Sequence, residues 1–345
     1  MSDHYLLKKD HLTSLLRRLM KEYRLVAPVK NGPGDTLFSV IDAIDQATLD
    51  LDSQPQGSLK PFLFPQQETL FDYQHAETGY QFSQASTECP TVFFGVRSCD
   101  LSAVLYMDVI FSKRGRDPYY FAKRRQAVLI SLACNEPFST CFCNATRTGP
   151  FLEYGFDLQF TDLGDRFLVD VGRAQGGEIV SRYRSFFTPA EERDRKAQYQ
   201  AFLEARSHFQ QQVHVDQALK RLSSGPIPEA ILADLSLRCQ DCGGCAYLCP
   251  TCTCFTITDQ PTSATTGQRL RSWDACTFGG FTRMAGGHNP VNPRTQAVKQ
   301  RFLHKLLYDV KEHGRPSCIG CGRCVGICFG GVDIIRFIEL LVASC

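Results

Sequence analysis

Eight cysteines in two runs of four constrain this 345-residue chain more than anything else in it. Cys239, Cys242, Cys245 and Cys249 follow the spacing C-x2-C-x2-C-x3-C, with Pro250 next. Cys318, Cys321, Cys324 and Cys328 repeat that spacing. An iron–sulfur cube needs four thiolates converging from several directions. In this pattern three closely spaced cysteines wrap one side of a cube and the fourth reaches across to a second cube. The expected ligand sets are Cys239, Cys242, Cys245 and Cys328 for one [4Fe-4S] cluster, and Cys318, Cys321, Cys324 and Cys249 for the other. Structural zinc is the bland alternative. It uses four ligands, usually as two C-x2-C pairs, and has no need of the extra cysteines in each run.

The spacing resembles that of bacterial two-cluster ferredoxins, with one departure: Phe329 follows Cys328 where proline is usual. Composition is compatible with a metal-binding role in a reducing cytoplasm. Seventeen cysteines would suggest disulfides in a secreted chain. However, the polar segment from Met1 to Asp10 does not read as a signal peptide, and no apolar run is long enough to span a bilayer. Metal-bound thiolates in the cytoplasm are therefore expected. A net charge of +2 offers no global electrostatic case for nucleic acid or an anionic membrane.

A chain of this length suggests two or three domains. Asp10 is placed to cap a helix carrying Leu12, Leu15, Leu16 and Leu19 on one face. Residues 91–96 and 126–133 read as buried strands flanking a helix from Leu101 to Ile110, a parallel α/β unit. A hairpin is expected around Gly164-Asp165 within 156–171. Thr188 and Glu191 read as a capping box with Pro189 at the first helical position. Ser223 to Pro228 marks the expected boundary. The predicted fold is thus an α/β domain over 1–225, then an α+β two-cluster ferredoxin-like domain over 226–345 with an insert, roughly 256–292, between its halves. Asn292-Pro293 is expected to start a helix with Val298, Phe302, Leu306 and Val310 along one stripe. Arg294, Lys299, Arg301 and Lys305 on that helix read as a solvated face, with partner docking as the alternative. A final helix is expected over Val332 to Ala343.

Nine cysteines lie outside the two runs. Cys99 and Cys134 each follow a predicted strand, where cofactor loops of α/β sheets collect. With Cys141 and Cys143 they have two readings: ligands of a third iron–sulfur cluster, or buried small hydrophobes. Cys252, Cys254 and Cys276 are read as cluster surroundings, either alternative ligands or thiols that pack and tune potential. Cys89 and Cys345 read as incidental. Neither a G-x-G-x-x-G nor a G-x-x-x-x-G-K-[ST] element occurs, and no paired-carboxylate or Ser-His-Asp set can be recognised.

Four further segments extend the likeness: Arg238 to Cys245, Cys249-Pro-Thr-Cys-Thr-Cys254, Trp273-Asp-Ala-Cys276 and Lys299 to Lys305. With Phe94-Gly-Val-Arg-Ser-Cys99-Asp and the Cys134 to Cys143 segment, the chain resembles the 4Fe-4S dicluster electron-transfer subunits over about residues 90–335. These include the beta subunits of sulfhydrogenases and the corresponding subunits of anaerobic sulfite reductases. The resemblance implies a non-catalytic electron-transfer subunit of a cytoplasmic, anaerobic oxidoreductase complex. Such a protein relays electrons between a flavin-containing NAD(P)H oxidoreductase subunit and a catalytic redox subunit of hydrogenase, sulfite reductase or heterodisulfide reductase type. The rival reading is an enzyme with its own redox reaction at the N-terminal cysteine-rich site.

Overall fold

The computed structural model describes residues 4–84, 89–113, 115–291 and 294–344. Its strands are β1 (His4–Lys8), β2 (Arg24–Lys30), β3 (Thr36–Ile41), β4 (Gln67–Ala76), β5 (Gly79–Ser83), β6 (Thr91–Arg97), β7 (Ala127–Leu132), β8 (Leu158–Asp162), β9 (Arg166–Val171), β10 (Phe187–Pro189), β11 (Phe255–Pro261) and β12 (Thr266–Trp273). The larger sheet runs β10-β1-β9-β8-β7-β6-β2-β3, with β2, β6, β7 and β8 mutually parallel and the remaining pairs antiparallel.

Every residue of β6 and β7 is buried, because each is an apolar run that needs cover on both faces. The helices Ser98–Ser112 and Pro118–Arg125 lie between them, so the expected strand–helix–strand unit is present with a second helix added. The register slips between Phe94 and Val96. Gly95 sits there at φ +74°, and a Cβ would lie 2.9 Å from the Pro28 ring. The β8–β9 hairpin also forms as expected, from Leu158↔Val171 to Asp162↔Phe167. Leu12, Leu15, Leu16 and Leu19 are all buried on the helix Leu12–Leu19.

Two helix starts differ from expectation. Asp10 lies inside a 3-10 turn, Lys9–His11, and does not cap the helix that follows. Thr188 and Pro189 are taken into β10, where they pair with Leu6 and Tyr5 of β1. The next helix therefore begins only at Glu192, and the reciprocal capping box is built by Glu191 and Asp194. Sheet pairing there outcompetes a local helix signal.

The second sheet, β11-β12-β4-β5, joins two hairpins nearly 200 residues apart in sequence. Arg271 of β12 is buried and binds Glu68 of β4 and Asp117. A helical core holds the C-terminal region. Phe302 and Phe337 stack within it at 4.1 Å, and residues from both sides of Gly225, Val213 and Leu222 among them, contribute to it. The helix Arg294–Leu303 continues through a π-helical stretch, His304–Tyr308, to His313. Its expected start at Asn292-Pro293 lies outside the described residues. Of the expected stripe, Val298, Phe302 and Leu306 are buried and Val310 is half-buried. The last helix, Ile334–Ala343, is capped by the Asp333 carboxylate, which accepts from the Ile335 and Arg336 amides. Among the described residues no helix is long and apolar enough to cross a membrane.

One ion pair fastens the second cysteine run to the helix that follows β6. The Arg323 guanidinium donates to both Asp100 oxygens, at 2.6 and 2.8 Å, and to the Pro55 carbonyl at 3.0 Å. Both charged side chains are buried. Breaking such a pair strands a charge in the interior. Asp100→Ala is expected to cost about 3–5 kcal/mol, seen as a lower midpoint in thermal or denaturant unfolding. An unchanged transition would contradict this role.

Candidate metal centres

Each cysteine run folds back on itself because the residues on either side of its second cysteine are left-handed. These are Asp241 (φ +51°) and Gly243 (φ +71°) in the first run, and Gly320 (φ +61°) and Gly322 (φ +74°) in the second. A short helix then follows in each, Gly244–Tyr247 and Arg323–Ile327. The glycines also permit close approach. A Cβ on Gly243 would lie 2.4 Å from the Phe278 ring, and one on Gly320 would lie 2.6 Å from the backbone of Phe142 and Cys143.

Two cavities result. Cys239, Cys242, Cys245 and Cys328 line the first. Cys249, Cys318, Cys321 and Cys324 line the second, together with Cys245, which lines both. Each cavity therefore holds three thiols of one run and the fourth thiol of the other. Arg301 lines both cavities, and Lys305 lines the second. Among the described residues no three His, Cys, Asp or Glu side chains close on a single-ion position.

The surroundings suit an iron–sulfur cube. The first cavity contains one buried hydroxyl, Thr277 Oγ1, with no hydrogen-bond partner among the described residues. A buried donor without a partner is costly, and the sulfurs of a cluster would accept from it. Burial pushes the Cys318 thiol up to about 12 and also raises Cys321, Cys324 and Cys245. Thiols held this way lose their protons only against positive charge, which metal ligation supplies. The protein adds its own. Burial alone would lower the pKa of Lys305 and of Arg301, yet the surrounding sulfurs hold both above their ordinary values. Lys305 Nζ donates to Thr251 Oγ1 at 3.0 Å, and that hydroxyl lies 3.3 Å from Cys249 Sγ and donates to the Ser317 carbonyl at 2.8 Å.

This placement corrects one expectation. Arg301 and Lys305 are not on a solvated face but are both buried at the thiol cavities. The sequence does hold a signal for this: positions 301 and 305 flank the apolar stripe 298–302–306 on the same side of the helix. Thr277, Thr251 and Lys60 carry no recognisable signal. Lys60 is buried beside the second sheet, against Trp273 at the end of β12. It donates to the carbonyls of Ala246 and Cys252 at 3.3 and 3.2 Å and stands 3.8 Å over the Trp273 ring.

The four N-terminal cysteines are all buried. Cys99 and Cys134 follow β6 and β7, at the carboxyl ends of parallel strands. Cys99, Cys143 and Cys321 share one small apolar cluster with Ile319. Burial pushes the Cys141 thiol up to about 12, and Cys134 and Cys321 add to that shift. The loop carrying Cys141 and Cys143 is seated on the second run. The Phe142 amide donates to the Gly320 carbonyl at 2.8 Å, and Thr148 Oγ1 donates to the Ile319 carbonyl at 2.7 Å. Gln54 Nε2 donates to the Cys321 carbonyl at 2.7 Å.

Cys252 and Cys249 share a hydrogen bond that holds Cys249 low and Cys252 high. Cys276 and Cys254 are paired in the same way, with Cys254 held low and Cys276 high. Of the Cys252, Cys254 and Cys276 group, Cys252 thus lies against Cys249 of the second cavity, while Cys254 and Cys276 lie against each other. Cys89 is exposed, and Cys345 lies outside the described residues. The sixteen described cysteines are all free of disulfides.

Comparison with known proteins agrees with this geometry. The family model for a 4Fe-4S dicluster domain matches residues 238–332. The chain is therefore mixed α/β with a C-terminal 4Fe-4S dicluster domain, and the match supports a family of iron–sulfur electron-transfer subunits. Along nearly its whole length the chain is similar to Sulfhydrogenase 2 subunit beta of Pyrococcus furiosus. The two are 27% identical over 333 residues, covering 96% of each chain.

The contact between Gly320 and the Phe142–Cys143 backbone yields a prediction. Gly320→Ala introduces both a strained left-handed residue and a clash. Iron content per chain should fall in this variant while Gly326→Ala, where a Cβ meets nothing within 4 Å, retains it. Equal iron in both would contradict the seating of this loop.

Proposed function

We propose that this chain is a relay with two [4Fe-4S] clusters. Cys239, Cys242, Cys245 and Cys328 would hold one, and Cys249, Cys318, Cys321 and Cys324 the other. The observation that carries the reading is the exchange of the fourth thiol between the two cavities. That exchange is the arrangement in which two cubes sit side by side. The clusters would supply one-electron redox chemistry. The chain's residues would hold them, exclude water through Phe142, Val298 and Ile334, and offset their charge through Arg301 and Lys305. The second cavity is the more buried, whereas Cys242 of the first is exposed. The first site is thus the natural place for electrons to pass to or from another protein.

The relative's name describes a beta subunit of a hydrogenase, and its likeness along the whole chain supports work within a multi-subunit complex. We place this chain between a flavin-containing NAD(P)H oxidoreductase subunit and a catalytic redox subunit in a reducing cytoplasm. The domain organisation we favour is an α/β unit over 1–225 and a dicluster unit over 226–345.

A specific observation favours an addition to this reading. Cys99, Cys134, Cys141 and Cys143 gather beyond the carboxyl ends of β6 and β7, beside Cys321. They would hold a third iron–sulfur cluster, making the α/β unit a second electron port. The enzyme alternative places a redox reaction of its own there, and turnover of an artificial acceptor with NAD(P)H by the isolated chain would favour it.

Two measurements test these assignments on protein prepared without oxygen. Cys242→Ala and Cys321→Ala should each remove one cluster signal from the electron paramagnetic resonance spectrum and abolish relay. Full cluster content with full turnover in either variant would refute the ligand sets. Iron should total about twelve per chain with a third four-iron cluster, falling to about eight in Cys141→Ala/Cys143→Ala. About eight in the unaltered chain would reduce the N-terminal cysteines to packing.

A further inference from the structure

A buried arginine ordinarily has a carboxylate partner. Arg323 has one in Asp100. Arg301 is equally buried, at 5% exposure, yet the groups that hold its charge are the sulfurs of Cys245, Cys324, Cys252 and Cys249. Among the described residues no acidic side chain forms a salt bridge with it. Its guanidinium donates to the Val332 carbonyl at 2.9 Å and packs against the Phe302 ring, contacts that fix it without neutralising it. It is also the one cation that lines both thiol cavities among those described. Lys305, one turn further along, lines the second cavity and not the first.

We propose that Arg301 stands in the wall between the two cluster sites as a shared positive charge that sets both reduction potentials, with Lys305 biasing only the second. This inference rests on the two-cluster reading above. A reduced cluster carries one more negative charge than an oxidised one. A fixed cation nearby therefore favours the reduced state, and in a low-dielectric interior it does so strongly. A charge between two sites also offsets the repulsion that an electron on one cluster exerts on the next. Electrons can then occupy both sites in turn rather than the first blocking the second. Neutral replacement of Arg301 should act on both sites, and neutral replacement of Lys305 on one. A purely structural arginine would not separate the two in this way.

The test is a redox titration, followed by electron paramagnetic resonance, of the full chain loaded with clusters. The two waves are assigned by their loss in Cys242→Ala and Cys321→Ala. Arg301→Gln should lower both midpoint potentials at unchanged iron and acid-labile sulfide. Arg301→Lys should restore most of that shift. Lys305→Met should lower only the wave lost in Cys321→Ala. Full loading of Arg301→Gln with unmoved potentials, or with one moved, overturns the proposal. If Arg301→Gln fails to load, the other two variants decide. A shift in Lys305→Met confined to the second wave, with both Arg301→Lys potentials near the parent's, upholds it. Both or neither wave moving in Lys305→Met overturns it. A parent chain without two cluster waves would instead count against the two-cluster reading itself.

Discussion

Negative charge buried among thiols needs positive charge buried beside it, and much of the C-terminal architecture answers that need. Thiols this deep resist ionisation. Desolvation would likewise disfavour Arg301 and Lys305 as cations. Each set is tolerable only in the presence of the other. The helix that supplies the two cations is held by Val298, Phe302 and Leu306 against the last helix, so core packing fixes where the charge sits. Thr251 passes the ordering on, linking Lys305 to the Ser317 carbonyl next to the second run.

The α/β region is tied to this one by buried side chains and a shared sheet. Arg323 emerges from the second run and is neutralised by Asp100 from the helix after β6. The segment from Thr140 to Thr148 closes over Gly320 and Gly322, positions where any side chain would collide with it. Lys60 reaches from the N-terminal region to the carbonyl of Cys252. The second sheet draws strands from both regions. The strand-end cysteines thus lie against the second run through buried contacts, with Cys99 and Cys143 beside Cys321.

The sequence makes some of this legible and hides the rest for physical reasons. Cysteine spacing is a local property, so the eight thiols can be sorted into two sets, and the structure places those sets around two cavities. Buried parallel strands and the β8–β9 hairpin also announce themselves in short windows, as apolar runs and turn residues. The pairing of β4 with β12 does not, because strand partners distant in sequence leave no local mark. Thr188 and Pro189 carry a good helix-start pattern, but β1 claims them through backbone hydrogen bonds that no side-chain pattern encodes. Arg301 and Lys305 mislead because charge usually means solvent. Only the arrangement of sulfur around them shows why they are inside.

The most direct measurement of the central claim is anomalous diffraction at the iron and zinc edges from crystals grown without oxygen. The account predicts iron in both cavities, with Cys328 ligating the cluster of the first run and Cys249 that of the second. Single zinc atoms in the cavities, or iron bound with each run keeping its own fourth cysteine, would contradict it.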